Sequence, residues 1–168
     1  MEDRYSRTVK MTGKEGLTKL REAKVLILGV GGVGSYAAEA IARAGVGHIT
    51  LMDGDTVQPS NQNRQLVALT STLGRNKAEV MAECDAIARN LGMEGLSFVC
   101  GDVTQYEFPE GAQVHMVISL HACDIATDIV LDKATEWGAK VILSTPCCHH
   151  DLNRRLNSPS LSFVAEHS

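Results

Sequence analysis

The residues of this 168-residue chain that read most directly as chemistry are a glycine run and the charges after it. Gly29-Val30-Gly31-Gly32-Val33-Gly34 satisfies the spacing G-x-G-x-x-G. It follows a strand-like apolar run, opens a segment with helical spacing, and has Asp53 about 20 residues further on. That context separates a nucleotide loop from an ordinary glycine-rich turn. Gly29 permits the tight turn, Gly31 lets the backbone approach a phosphate, and Gly34 lets the helix pack closely on the strand. The helix start offers unpaired N–H groups and a partial positive charge to an anion. Asp53 is placed to accept hydrogen bonds from ribose hydroxyls.

The next question is which nucleotide. A nicotinamide cofactor needs the glycines and the acid, with no basic cluster beyond them. This chain adds Asn61, Asn63, Arg64 and Gln65 in a long polar connection over residues 54–73, then Arg75 and Lys77 at the next helix start. A connection that long is usually functional or carries a short helix. If it folds back over the glycine loop, Arg64 and Lys77 reach a triphosphate, the first as a bidentate fork and the second as a compact charge. The plainer alternative is a solvated loop followed by an ordinary charged helix start.

The elements that must position these residues alternate between strand and helix. Residues 1–12 read as a polar arm, and residues 13–23 as a short helix with Leu17 and Leu20 on one face. Lys24-Val25-Leu26-Ile27-Leu28 is a continuous apolar run, as in a strand buried on both faces. Residues 35–44 carry Tyr36, Ala37, Ala40, Ile41 and Ala44 at helical spacing, with Gly45 as the stop. Strands are predicted over 48–52, 96–100, 114–120 and 140–143, and helices over 77–91 and 125–137. The βαβαβ alternation implies right-handed crossovers and a single α/β domain. We expect a Rossmann-like, doubly wound, mostly parallel sheet of order 3-2-1-4-5, truncated at its C-terminus.

Composition narrows the class. The chain is 44% hydrophobic and 21% charged, enough apolar residue for a packed core. A net charge of −4 argues against a broadly basic surface that coats nucleic acid. No apolar run approaches the roughly 20 residues of a membrane helix, and the polar N-terminus lacks a secretory h-region, so the expectation is a cytoplasmic protein without a membrane partner. Five cysteines, an odd number that includes the adjacent pair Cys147-Cys148, fit a reducing compartment better than a disulfide framework.

RYSR (residues 4–7), the stretch from Lys24 through Asp55, SNQNRQ (residues 60–65) and STLGRNKAEVMAE (residues 71–83) resemble the E1-like adenylating superfamily of ThiF type. Within it they are most similar to the bacterial tRNA threonylcarbamoyladenosine dehydratases. The resemblance covers about residues 4–83 and departs mildly at Gln62, where Leu is usual. It implies ATP and Mg²⁺ as cofactors and transfer of AMP onto a carboxylate. It also implies that Gly29, Gly31, Gly32, Gly34, Asp53, Asp55 and Gln65 line the nucleotide, and that Asn63, Arg64 and Lys77 contact its phosphates. Arg7 resembles an arginine that reaches the ATP of a second subunit, so a homodimer is expected, with Arg7, Arg64 and Lys77 as the catalytic cations. In the dehydratases the activated carboxylate belongs to a modified tRNA adenosine, which makes tRNA the implied partner.

The second half resembles something else. Residues 84–103, 117–156 and 158–163 are similar to a class I S-adenosylmethionine-dependent methyltransferase-like family, with HACD-x-ATD and PCC signatures. That likeness makes S-adenosylmethionine the alternative cofactor, with Asp102 holding adenine and residues 121–124 lining the site. Ile27 stands where such enzymes usually carry an acid, which counts against it. The chain thus reads as two Rossmann-like halves joined near Glu83; a natural recombinant, a designed chimera and an assembly error all fit. In the adenylating superfamily an Asp after the fourth strand holds Mg²⁺, and alignment of the strands offers Ala122 or Asp124 for that place. Cys147-Cys148-His149-His150 invites a zinc reading, but adjacent residues do not readily converge on one tetrahedral ion. His121 is as easily structural as catalytic, Cys123 and Cys147 lack a reason to be nucleophiles, and Cys84 and Cys100 are simplest as core.

Overall fold

A computed structural model describes residues 4–90, 95–120, 122 and 125–145, the side chains of 84–90 excepted. Among the described residues nine helices and strands run in the order α1 (Ser6–Glu22), β1 (Lys24–Leu28), α2 (Gly34–Ala44), β2 (His48–Met52), α3 (Lys77–Asn90), β3 (Gly95–Val99), β4 (Met116–Leu120), α4 (Ile125–Glu136) and β5 (Val141–Thr145). The five strands form one sheet of order β3-β2-β1-β4-β5, and all four pairings are parallel. Each crossover therefore returns its chain to the same end of the sheet. The carboxyl ends of the strands gather at one edge, where open α/β sheets bind ligands.

The continuous apolar run of β1 is explained by burial on both faces. Val25 and Ile27 join Ile49, Leu51, Ile118, Ala38, Val80 and Met81 in one cluster. Leu26 and Leu28 join Met52, Val117, Val130 and Ala134 in the other. Side chains alternate along a strand, so one pentapeptide feeds both layers. The second layer is unevenly built. Between β3 and β4 the described residues form only a 3-10 turn, Val103–Gln105. An aromatic corner stands there instead: Phe108 meets Tyr106 and Trp137 edge-to-face, with centroids 4.9 and 5.1 Å apart.

Two glycines set how closely the layers approach. Gly29 has φ 86°, a left-handed conformation that turns the chain out of β1. A Cβ on Gly34 would lie 1.9 Å from the Gly29 carbonyl oxygen, so only glycine lets α2 start against the strand. That contact also fixes the rotation of α2. Gly34, Ser35 and Ala38 face inward, and Tyr36, one of the residues at helical spacing, is 52% exposed.

The N-terminus corrects the sequence reading as well. Residues 6–12, expected as an arm, form the first part of α1, which kinks at Gly13, where φ is 74°. Tertiary contact supplies what local pattern lacked. The ring of Tyr5 and the side chain of Leu17 both pack at Gly45, the left-handed stop of α2. The Arg21 guanidinium lies 5.6 Å from the centre of the Tyr5 ring. The long connection carries two 3-10 turns, Pro59–Asn61 and Thr70–Thr72, as its length suggested.

Gly34→Ala is expected to destabilise the fold by about 2–3 kcal/mol, because backbone must move to admit the methyl. Gly31→Ala, whose Cβ would meet only Gln65 Nε2 at 3.7 Å, should change stability by less than about 1 kcal/mol. Urea denaturation followed by circular dichroism reads both.

Candidate nucleotide site

The loops leaving β1 and β2 are joined by one carboxylate. Asp53 is 8% exposed and lies just past the carboxyl end of β2. Its Oδ2 accepts the N–H of Val30 at 2.8 Å, and its Oδ1 accepts the N–H of Asp55 at 2.8 Å. The first bond holds the glycine loop; the second bends the chain into the long connection. A carboxylate has about four lone-pair positions. Asp53 therefore keeps acceptor capacity on the face that lines the neighbouring cavity.

That connection does fold back. The Arg64 stem lies on Gly32, where a Cβ would meet its Cγ at 3.3 Å, and Gln65 lies on Gly31. Asn61 shapes this return more than it offers a ligand contact: it is buried, its Oδ1 accepts the Gln58 N–H at 3.0 Å, and its carbonyl accepts the N–H groups of Arg64 and Gln65. The Arg64 guanidinium donates within its own loop, to the Ser60 carbonyl at 2.8 Å and to Asn63 Oδ1 at 2.9 Å. Lys77 starts α3. Its ammonium donates to Asp55 Oδ2 at 2.8 Å, and its N–H donates to the Asp55 carbonyl at 2.9 Å.

A cavity of about 630 Å³ opens at the carboxyl ends of β1, β2, β3 and β4. Its apolar lining includes Leu28, Met52, Val103, Leu120 and Val130, and its polar lining includes Asp53, Asp55, Asp102 and Ser119. Among the described residues no lysine or arginine lines it. Such a space suits a nucleoside, with a base against aliphatic side chains and sugar hydroxyls on carboxylates. It does not suit a chain of phosphates. Gly29 lines the cavity where the glycine loop begins, whereas the other groups suited to phosphate, namely the backbone of Gly31 and Gly32 with Arg64 and Lys77, lie outside its lining. Asp102 begins the 3-10 turn after β3, and its Oδ1 accepts the N–H and the hydroxyl of Thr104. Those two donors hold its carboxyl below the usual aspartate range.

The remaining sequence candidates divide. Arg7 is exposed in the first turn of α1 and lines no part of the cavity. Cys100, expected in the core, is exposed and lines the cavity, because β3 ends one residue earlier at Val99. Asp124, His121, Cys123 and residues 147–150 lie outside the described residues. Among the described residues no group of three or more His, Cys, Asp or Glu could hold a metal ion. Ala122 lines the cavity but carries no ligand atom in its side chain. Ser119 was missed. It is fully buried in β4, lines the cavity, and its hydroxyl has no hydrogen-bond partner among the described residues. Its register neighbour on β5, Ser144, shares that state. The available signal was a serine inside an otherwise apolar strand.

Fold, glycine turn and acid together define an α/β protein of the Rossmann-like nucleotide-binding class. Comparison with known proteins narrows this. A profile of the ThiF family matches residues 5–154, and the chain belongs to that family. The match runs on past Glu83, through most of the half that resembles methyltransferases. The tRNA threonylcarbamoyladenosine dehydratase of Bacillus subtilis is 51% identical over 92 residues, which cover 50% of this chain and 36% of that protein. The chain thus matches about a third of that relative's length. Among solved structures, the E. coli tRNA N6-threonylcarbamoyladenosine dehydratase in complex with AMP superposes with a TM-score of 0.70 at 32% identity, covering 83% of this chain and 58% of the other. The same enzyme in complex with ATP gives 0.68 at 32% identity, with the same coverage of each chain. Among the described residues, no helix is long and apolar enough to cross a membrane.

Asp53→Ala strands two backbone donors, one of them on Val30, which is wholly buried. It is expected to cost about 2–4 kcal/mol in urea unfolding. Asp53→Asn, which keeps one acceptor oxygen, should cost less.

Proposed function

We propose that this chain binds ATP and transfers its AMP moiety onto a carboxylate, as an adenylating protein of the ThiF family. The observation that carries the reading is the return of the long connection onto the glycine loop. It sets the Arg64 stem on Gly32 and Gln65 on Gly31, beside a nucleoside-sized cavity that begins at Asp53. The complexes of the E. coli relative with ATP and AMP support it. In this reading Gly29, Gly31, Gly32 and Gly34 form the phosphate turn, and Asp53 takes the ribose hydroxyls. Asn63, Arg64 and Lys77 meet the phosphates, and Asp102 stands at the base end of the cavity.

The chemistry follows from leaving groups. A carboxylate oxygen is a poor one. Attack of the carboxylate on the α-phosphorus forms an acyl-adenylate and expels pyrophosphate, leaving AMP as a good leaving group for the next nucleophile. Negative charge grows on the departing pyrophosphate, where Lys77 and a re-aimed Arg64 fork would stabilise it. A magnesium ion, when bound, would share the charge of the phosphates. Because such an ion keeps several waters and needs only one or two carboxylates, the described residues need not form a cage. Asp124 is the proposed carboxylate.

Two finer readings rest on the same site. The relatives' substrate makes a threonylcarbamoyladenosine-bearing tRNA the first acceptor to try. A second copy of the chain is the proposed partner. Arg7 is solvent-facing, and Val33, Tyr36, Leu66, Leu69 and Leu73 expose large apolar surface on the glycine turn, the start of α2 and the loop that returns to them.

Isothermal titration tests the reading. ATP with Mg²⁺ should bind, and Arg64→Ala and Lys77→Ala should each weaken it by roughly tenfold or more. S-adenosylmethionine should not compete. Binding of S-adenosylmethionine lost in Asp102→Ala, with silence toward ATP, would reverse the assignment. Pyrophosphate exchange then reads turnover, and light scattering on the same samples should give twice the chain mass of 18.1 kDa.

A further inference from the structure

Asp53 and Lys77 are the two buried charged side chains among the described residues, and they are buried differently. Asp53 is held by backbone donors. Lys77 depends on a partner that is itself in water: its side chain is 6% exposed, and that of Asp55 is 76% exposed. An ammonium withdrawn from solvent needs an anion beside it. Asp55 supplies one at 2.8 Å.

The backbone of Asp55 is fixed at both ends. Its N–H donates to Asp53 Oδ1, and its carbonyl accepts the Lys77 N–H. Its carboxylate has no hydrogen-bond partner among the described residues except Lys77. The side chain can therefore turn out to solvent without disturbing the loop. It also lines the cavity next to Asp53. The exposed carboxylate thus occupies, at Lys77 Nζ, the position that a phosphoryl oxygen would take if Lys77 meets the phosphates.

We propose that Asp55 is an internal substitute for phosphate. In the empty site its carboxylate neutralises the buried ammonium, and a polyphosphate binds by displacing it from Lys77. This role differs from that of a residue that helps to hold the nucleotide. It rests on the reading that Lys77 meets the phosphates, and it makes the opposite prediction for removal of the acid. A residue that merely aims Lys77 would lose affinity when neutralised. A residue that competes with the ligand would release it.

The test uses the full chain, inorganic triphosphate as probe and EDTA to exclude metal. Wild type, Asp55→Asn, Lys77→Met and the double variant are compared by calorimetry, with folding checked by circular dichroism. Asp55→Asn is expected to tighten triphosphate binding about fivefold or more, and to lower the thermal midpoint of the free protein. In the Lys77→Met background the same change should give only the small gain of removing a distant negative charge. The difference between the two gains is the competition itself. Asp55→Ser, neutral and shorter, serves the same arm should the amide variant not fold. If Lys77→Met weakens binding but neutralising Asp55 leaves it unchanged or weaker, the inference fails and the nucleotide reading stands. If Lys77→Met leaves triphosphate binding intact, both fail.

Discussion

One carboxylate holds the working end of this molecule together. Asp53 accepts the N–H of Val30 with one oxygen and the N–H of Asp55 with the other. The turn after β1 and the chain leaving β2 are thereby fixed to each other. The Asp55 carbonyl in turn fixes the start of α3 through Lys77, and the connection between them lays Arg64 and Gln65 on the glycines. A buried carboxylate is stable there because two backbone donors replace the water it lost. The glycine turn, the long connection and the start of α3 take their positions from that arrangement.

The sheet makes the arrangement possible. Parallel strands bring the ends of β1 to β4 to one edge, so residues far apart in sequence share a single cavity. The division of labour at that edge is electrostatic. The cavity is lined by carboxylates and aliphatic groups, and the cations lie on the glycine side. A nucleoside and a polyphosphate have opposite needs, and in the proposed reading adjoining regions of one crevice would meet them separately. The layer over β3 and β1 is thinner than in a fully wound sheet, since an aromatic corner replaces a helix between β3 and β4.

Much of this was legible before any coordinates. The continuous apolar run of β1 implied two-sided burial and the alternation of elements implied parallel crossovers, and the order 3-2-1-4-5 expected of a Rossmann-like sheet is the one observed. The glycine spacing located the turn because its constraint is local: a left-handed φ at Gly29 and a missing Cβ at Gly34. What escaped was tertiary. Nothing in residues 6–12 announces a helix that exists because Tyr5 and Leu17 dock at Gly45. The spacing of α2 did not say which face turns inward; the contact between Gly34 and Gly29 sets it and leaves Tyr36 exposed. The pairing of Lys77 with Asp55 spans 22 residues and was invisible as spacing. Ser119 reads in sequence as a minor interruption; only its place at the cavity and its unpartnered hydroxyl single it out.

The central claim is that base and ribose occupy the acidic cavity while the phosphates lie on the glycine turn. A crystal structure of the chain with a non-hydrolysable ATP analogue tests it most directly. The account predicts ribose hydroxyls on Asp53, the β- and γ-phosphoryl groups against Gly31 and Gly32, and Lys77 Nζ on a phosphoryl oxygen with Asp55 turned to solvent. An analogue whose phosphates point toward β4 and away from the glycines, with Lys77 still on Asp55, would contradict it.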